Sequence, residues 1–188
     1  LLAKVSDFFF DISSGRIALL ALLIFLLFGA LVLPRQAALA EQISGGAGSP
    51  DTTLFYSTED LYNVAKEYGQ EGRRAYIRSR YSFDVAFPLV YGFFLVTAIS
   101  WFAVKLPQTA SKIRLVNLAP LIGVLFDFFE NAATSIVMLR YPAKTALIAS
   151  IAPIISILKW VFVYGSFLIL SVLIIYWILG MIRQKNTP

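Results

Sequence analysis

The sequence predicts an all-α membrane protein: a four-transmembrane-helix bundle with a partly helical extracytoplasmic loop between helices 1 and 2. Three observations predict it. Hydrophobic residues make up 59% of the 188 residues and charged residues only 14%, with a mean hydropathy of +0.76. A soluble domain carries roughly 25% charged residues, because its surface must face water. Four separate stretches are apolar for about the 20 residues that a helix needs to cross roughly 30 Å of hydrocarbon. Lysines and arginines gather at the ends of those stretches, as they do in membrane proteins.

The elements follow in order. Residues 1–16 read as an interfacial N-terminal segment, with Leu1, Leu2, Phe8, Phe9 and Phe10 in the headgroups before Gly15 turns the chain inward. The first span covers 17–34 and ends at Pro34. Its apolar core is longer than that of a signal peptide, so it is expected to stay as a helix. Residues 35–84 form the extracytoplasmic loop. Its first half, "AEQISGGAGSPD", reads as flexible linker. In its second half, Ser57 and Asp60 have the spacing of a helix N-terminal cap, with Leu61, Val64, Ala65 and Tyr68 on one face and Gly69 as the stop. A second helix is expected from Gln70, running into the second span at 85–104. Residues 105–114 make a cytoplasmic loop, 115–139 the third span, 140–159 an outer turn with the start of helix 4, 160–182 the fourth span and 183–188 a cytoplasmic tail. Thr145 to Leu158 is read as an early start of helix 4 that tilts, or as a short element bent at Pro153.

Lys4, Arg16, Lys105, Lys112, Arg114, Arg183 and Lys185 fall on one side of these spans. The positive-inside bias places both termini in the cytoplasm of a multi-pass protein of the cell inner membrane. The net charge of +5 is thus a matter of topology, and no nucleic-acid partner is implied. The chain has no Cys and no His. This excludes disulfides, thiol redox chemistry, His-ligated haem or zinc and His-based acid–base catalysis by the chain alone. No phosphate loop, nucleophile elbow or metal-ligand spacing appears, so no cofactor, metal or catalytic residue is assigned.

The third span carries the chemistry. Asp127, Glu130, Asn131 and Thr134 follow i, i+3, i+4, i+7 spacing and share one helical face. A charge at mid-membrane costs roughly 2.5 to 3.5 kcal/mol on insertion scales, so this face must turn inward and find partners. Lys159 lies at a similar distance from the turn at Pro142 and shares a stripe with Ser156, Val163 and Ser166. Asp84, Pro88 and Tyr91 share a face of the second span. These residues predict one connected cluster in the outer half of the bundle: Asp84, Tyr91, Asp127, Glu130, Asn131 and Lys159. It reads either as a structural network fixing helix register or as a site for a ligand, ion or proton. Arg73, Arg74, Arg78 and Arg80 lie just above the second span. They read as contacts for an anionic head group, or as partners of Glu59, Asp60, Glu67 and Glu71; the near balance of charge favours the second.

The segments "FYSTEDLYNVAKEYGQEGRRAYIRSRYSFDVAFPLVYGF", "FDFFEN" with the following "LRYP", and "LKW" resemble a group of uncharacterised bacterial four-span integral membrane proteins. The resemblance runs from Phe55 to Trp160. It implies the four-span layout and directs attention to Arg73, Tyr76, Asp84, Pro88, Tyr91, Asp127, Glu130, Asn131 and Lys159, and it implies no reaction. The leading functional expectation is a non-enzymatic accessory or scaffold subunit of a larger membrane complex, with the bilayer and a membrane-protein partner or a second copy as its contacts. Two alternatives stand beside it. One is a protein binding a lipid, quinone or cation through the buried Asp/Glu/Asn/Lys cluster. The other is an intramembrane lipid-modifying enzyme.

Overall fold

The structure, a computed structural model, describes residues 1–44, 48–50, 54–106 and 115–185. Lys112 and Arg114, most of the 105–114 loop, parts of the Gly-rich linker and the last residues of the tail lie outside these. All regular structure among the described residues is helical, and four helical stretches are long and apolar enough to cross a membrane. The chain is an all-α, multi-pass membrane protein.

Helix α1 (Leu2–Ile12) packs beside one end of the bundle. Its buried Ser6 donates to Asn117 Oδ1 at 2.8 Å, while Asn117 Nδ2 donates to Ser6 O and to Ser100 Oγ. This closed set of bonds satisfies every partner in a buried place. Helix α2 (Gly15–Leu31) starts where Gly15 meets the Trp101 ring; a Cβ there would stand 3.1 Å from the indole. Only Ala18 and Ala21 of α2 are buried, and all its leucines except Leu22 are exposed, as expected of a helix that faces lipid on most sides. Helix α3 (Leu33–Ser44) follows almost at once. The sequence leads one to expect linker from Ala40, but the chain stays helical to Ser44. Its end lies against α5, where a Cβ on Gly72 would stand 3.3 Å from the Ile43 carbonyl.

Helices α4 (Thr58–Glu67) and α5 (Gly69–Arg80) form a cap over the opposite end. Ser57 and Asp60 make a reciprocal capping box, and Gly69 turns the chain with φ +59. Ser57 N–H and its hydroxyl both bond the Asp60 carboxylate at 2.8 Å, which holds that carboxyl below its ordinary range. A lowered folded-state value means that the capping contribution is complete above the ordinary Asp range and is lost as pH falls through the folded value. Hydrogen exchange in α4, corrected for intrinsic rate, is therefore expected to lose protection on acidification, and Asp60→Ala to remove that pH dependence. An unchanged acid response in the variant would refute the assignment.

Helix α6 (Phe83–Ala103) follows α5 after only Tyr81 and Ser82, so the second cap helix runs into the second span as one long stretch, Gly69–Ala103, with a two-residue break. Helix α7 (Ala119–Arg140) returns to the cap end, and α8 (Ala146–Lys185) crosses back. Helix α8 has 40 residues, about 60 Å at ~1.5 Å per residue, twice the hydrocarbon thickness. It runs unbroken through Pro153, and its first turns form the wall against which the cap packs. Leu61, Ala65, Tyr68 and Tyr76 bury against Val137, Met138, Ala149 and Ala152 there. A second apolar cluster, with Leu95, Ile99, Val124, Val163 and Leu170, fills the other half of the bundle. Close helix approach in that half rests on glycine: a Cβ on Gly92 would fall 2.5 Å from Val124 Cγ2, and one on Gly123 would fall 3.2 Å from Val163 Cγ2.

Both intrahelical prolines are answered by a side chain from elsewhere. Proline has no N–H, so the carbonyl four residues earlier loses its helical donor. Pro153 deprives Ala149 O, and Thr58 Oγ1 of α4 donates to it at 3.1 Å. Pro88 deprives Asp84 O, and Asn131 Nδ2 of α7 donates to it at 3.2 Å. A buried carbonyl in a membrane must be satisfied within the protein, so each proline creates a docking point for a neighbouring element.

Candidate functional site

Between the two apolar clusters lies a polar layer, and it contains all six residues of the expected cluster. Glu130 and Lys159, on facing helices α7 and α8, form an ion pair at 2.5 Å with side-chain exposures of 0% and 5%. Asp127, half-buried one turn before Glu130, accepts the Tyr91 phenol at 3.0 Å and the Asn131 amide at 3.5 Å. Asn131 also takes a 3.5 Å bond from Arg80. Arg80 pairs with Asp84 at 3.1 Å and donates to Ser49 Oγ at 3.0 Å, while its guanidinium lies 4.2 Å from the centre of the Tyr76 ring. The layer therefore links α5, α6, α7 and α8.

Sequence spacing places Lys159 near Asp127 in depth; in the structure it forms an ion pair with Glu130, one turn further along α7. All four residues of the Ser156, Lys159, Val163 and Ser166 stripe are buried. Thr134, the fourth residue of the α7 face, does not join the layer: its hydroxyl donates to the Glu130 and Asn131 carbonyls of its own helix.

The four arginines do not act together. Arg80 alone is buried and joins the polar layer. Arg73 donates to Ala65 O at 2.8 Å and lies 4.9 Å from the Tyr141 ring centre, because the Gly69 turn folds α5 back along the end of α4. Arg74 and Arg78 are exposed. Among the described residues none of the four forms an ion pair with Glu59, Asp60, Glu67 or Glu71. Their charge balance is a property of the cap's surface, while Arg80 reaches past it to Asp84, one turn ahead.

Spacing does not point to Tyr56. Its hydroxyl donates to Glu130 Oε1 at 3.2 Å, from the strap leading into α4. Tyr56 immediately precedes the Ser57 cap and packs against the cluster that contains Leu61. That is the arrangement of a hydrophobic staple, in which the residue before the cap and the fourth helical residue fix the entering chain. The Tyr56, Ser57 and Leu61 pattern is thus the signal that could have aimed this phenol.

The layer borders a cavity of about 450 Å³, within the range of about 300–1,000 Å³ usual for small-molecule sites. Arg80, Asp84, Tyr91, Asp127 and Lys159 form its polar pole. Phe25 of α2, Phe83, Phe87 and Pro88 of α6, and Trp160, Val163, Tyr164 and Phe167 of α8 form apolar walls. Phe25 and Phe167 approach with ring centres 6.2 Å apart, joining α2 to α8 on one side. Leu33, Ala37 and Ala40 of α3 and Tyr164 of α8 line the cavity and are also exposed, so they mark its mouth, between α3 and α8. The chain has no Cys or His, and among the described residues no acidic group of three or more is disposed to hold a metal ion.

In comparisons with known proteins, no family model, no curated protein and no solved structure matches this chain.

Proposed function

We propose that this protein binds a small amphipathic, membrane-soluble molecule in the cavity beside the polar layer. The apolar part lies among the aromatic walls, and the polar head meets the pole formed by Arg80, Asp84, Asp127 and Lys159. The cavity carries this reading over that of an accessory subunit. A polar network serving only helix register gains most when its members pack against one another with no space between them, since each is then fully satisfied in a low dielectric. Here charged side chains from α5, α6, α7 and α8 border one open volume. The residues that line that volume and are also exposed, Leu33, Ala37 and Ala40 of α3 and Tyr164 of α8, are mostly apolar, which suits the entry of a lipid-soluble molecule.

The enzymatic alternative draws less support. Its arginine clamp would need Arg73, Arg74 and Arg78 near the carboxyls, and of the four arginines only Arg80 borders the cavity.

The test uses Ala37→Trp, which fills the mouth from an exposed position and spares the core. The full chain and the variant would be isolated in bilayer discs, and retained small molecules extracted and identified by mass spectrometry. The native chain is expected to enrich one compound over bulk lipid, and the variant to lose it. Identical profiles would end the reading. A stoichiometric protein companion together with identical profiles would restore the subunit role.

A further inference from the structure

We infer that α1 lies flat in the membrane interface, an in-plane helix whose apolar side enters the lipid of the leaflet farther from the cap. Its direction follows from two contacts. Ser6 and Asn117 bond each other, and Asn117 also bonds Ser100 of α6. Nine residues after Ser6, Gly15 meets the ring of Trp101, the next residue of α6. Nine residues of helix measure roughly 13 Å. If α1 ran along α6, its two contacts would fall about nine residues apart on that helix. They fall on neighbours instead, so α1 crosses the end of α6. Helix α6 is one of the spans, and a helix that crosses it at its end runs along the bilayer surface.

The same residues set the level. The Trp101 ring centre lies 6.2 Å from that of Trp177, and Lys105 Nζ lies 4.4 Å from the Trp101 ring centre. Tryptophan and lysine at the end of a span mark the boundary between hydrocarbon and water. A helix lying there has three neighbours: protein, lipid and water. Helix α1 has three matching faces, each built at three- and four-residue spacing. Ser6, Phe10 and Ser13 form the first, with Ser6 and Ser13 buried against the bundle. Leu2, Val5, Phe9 and Ile12, joined by Phe8, form the second. It is wholly apolar, yet Leu2 is 65% and Phe8 56% exposed. Lys4, Asp7 and Asp11 form the third, and all three are exposed. The apolar and charged faces flank the bundle face on opposite sides. One therefore meets lipid while the other meets water, as a helix in the interface requires.

The chain has no Cys, so a single introduced Cys carries the only nitroxide label. Leu2→Cys, Lys4→Cys, Phe8→Cys and Asp11→Cys each place it at an exposed position of the full chain. In bilayer discs, collisions of each label would be measured with oxygen, which concentrates in lipid, and with a neutral nickel chelate, which stays in water. The oxygen-to-nickel ratio is expected to be at least roughly threefold higher at Leu2 and Phe8 than at Lys4 and Asp11. Leu2 and Phe8 flank the centre of the apolar face, so a flat helix gives their labels equal depth, whereas an upright helix separates them by about 9 Å. Equal water access at all four positions, or a depth difference of that size, overturns the inference. Shielding of Leu2 and Phe8 from both reagents overturns it as well, since protein and not lipid then covers this face. Each label is read separately, so the loss of one variant leaves the comparison intact.

Discussion

Replacing Lys159 by Met should be the most damaging single change in the bundle, lowering stability by about 3–5 kcal/mol. The reason lies in Glu130. Its side chain is fully buried between α7 and α8, and Lys159 is its ionic partner. Met matches the length of the lysine stem, so packing changes little. What remains is a carboxylate with the Tyr56 phenol as its other contact and no counter-charge at its second oxygen. Removing one partner of a buried pair leaves the other charge uncompensated, which costs far more than the pair contributes over an apolar substitute. The companion change Glu130→Gln therefore should restore most of the loss when combined with Lys159→Met, because Gln carries no charge and still accepts from Tyr56. Thermal or denaturant unfolding in one detergent would measure both. If the double variant is as unstable as Lys159→Met alone, the loss comes from packing and the ionic account is wrong.

Asn131→Leu carries the second largest expectation, about 1–3 kcal/mol from each buried polar group that it orphans. Leu fills a similar volume but cannot donate. Asp84 O then has neither its helical donor, which Pro88 lacks, nor the Asn131 amide. The bond that Asn131 accepts from Arg80 goes as well. Pro88→Ala supplies the missing N–H four residues after Asp84. In the native background Asp84 O already has a partner, so the new donor gains less. In the Asn131→Leu background it should gain about 0.5–1.5 kcal/mol more, the net value of one hydrogen bond. That difference between backgrounds is the readout, since the general benefit of removing a helical proline appears in both and cancels. Equal gains would show that Pro88 and Asn131 do not share the Asp84 carbonyl.

These expectations also separate what one chain can reveal in one dimension from what needs three. The spans were legible because hydrocarbon imposes a length and a composition on each crossing, and Ser57, Asp60 and Gly69 were legible because caps are local chemistry. The inward face of α7 was legible from helical period alone, as Asp127, Glu130 and Asn131 cannot face lipid. Helix α3 runs past Ala40 against the local Gly and Ser signal, with Ile43 packed against Gly72. Local charge balance assigns the arginines to the acids of the cap, yet Arg80 pairs with Asp84 at i+4 across the break at Tyr81 and Ser82.

Four membrane-crossing helices, and a polar group turned inward on each of α6, α7 and α8, follow from the residues one at a time, because solvation energy acts on every residue separately. It takes the packed helices to bring Lys159 to Glu130, the Asn131 amide to the carbonyl freed by Pro88 and Tyr56 inward from the cap, and to open a cavity beside them. Those outcomes depend on the rotation and depth of one helix against another. A side chain reaches a hydrogen-bond partner within about 3 Å or not at all, whereas sequence period fixes a face only to within a fraction of a turn.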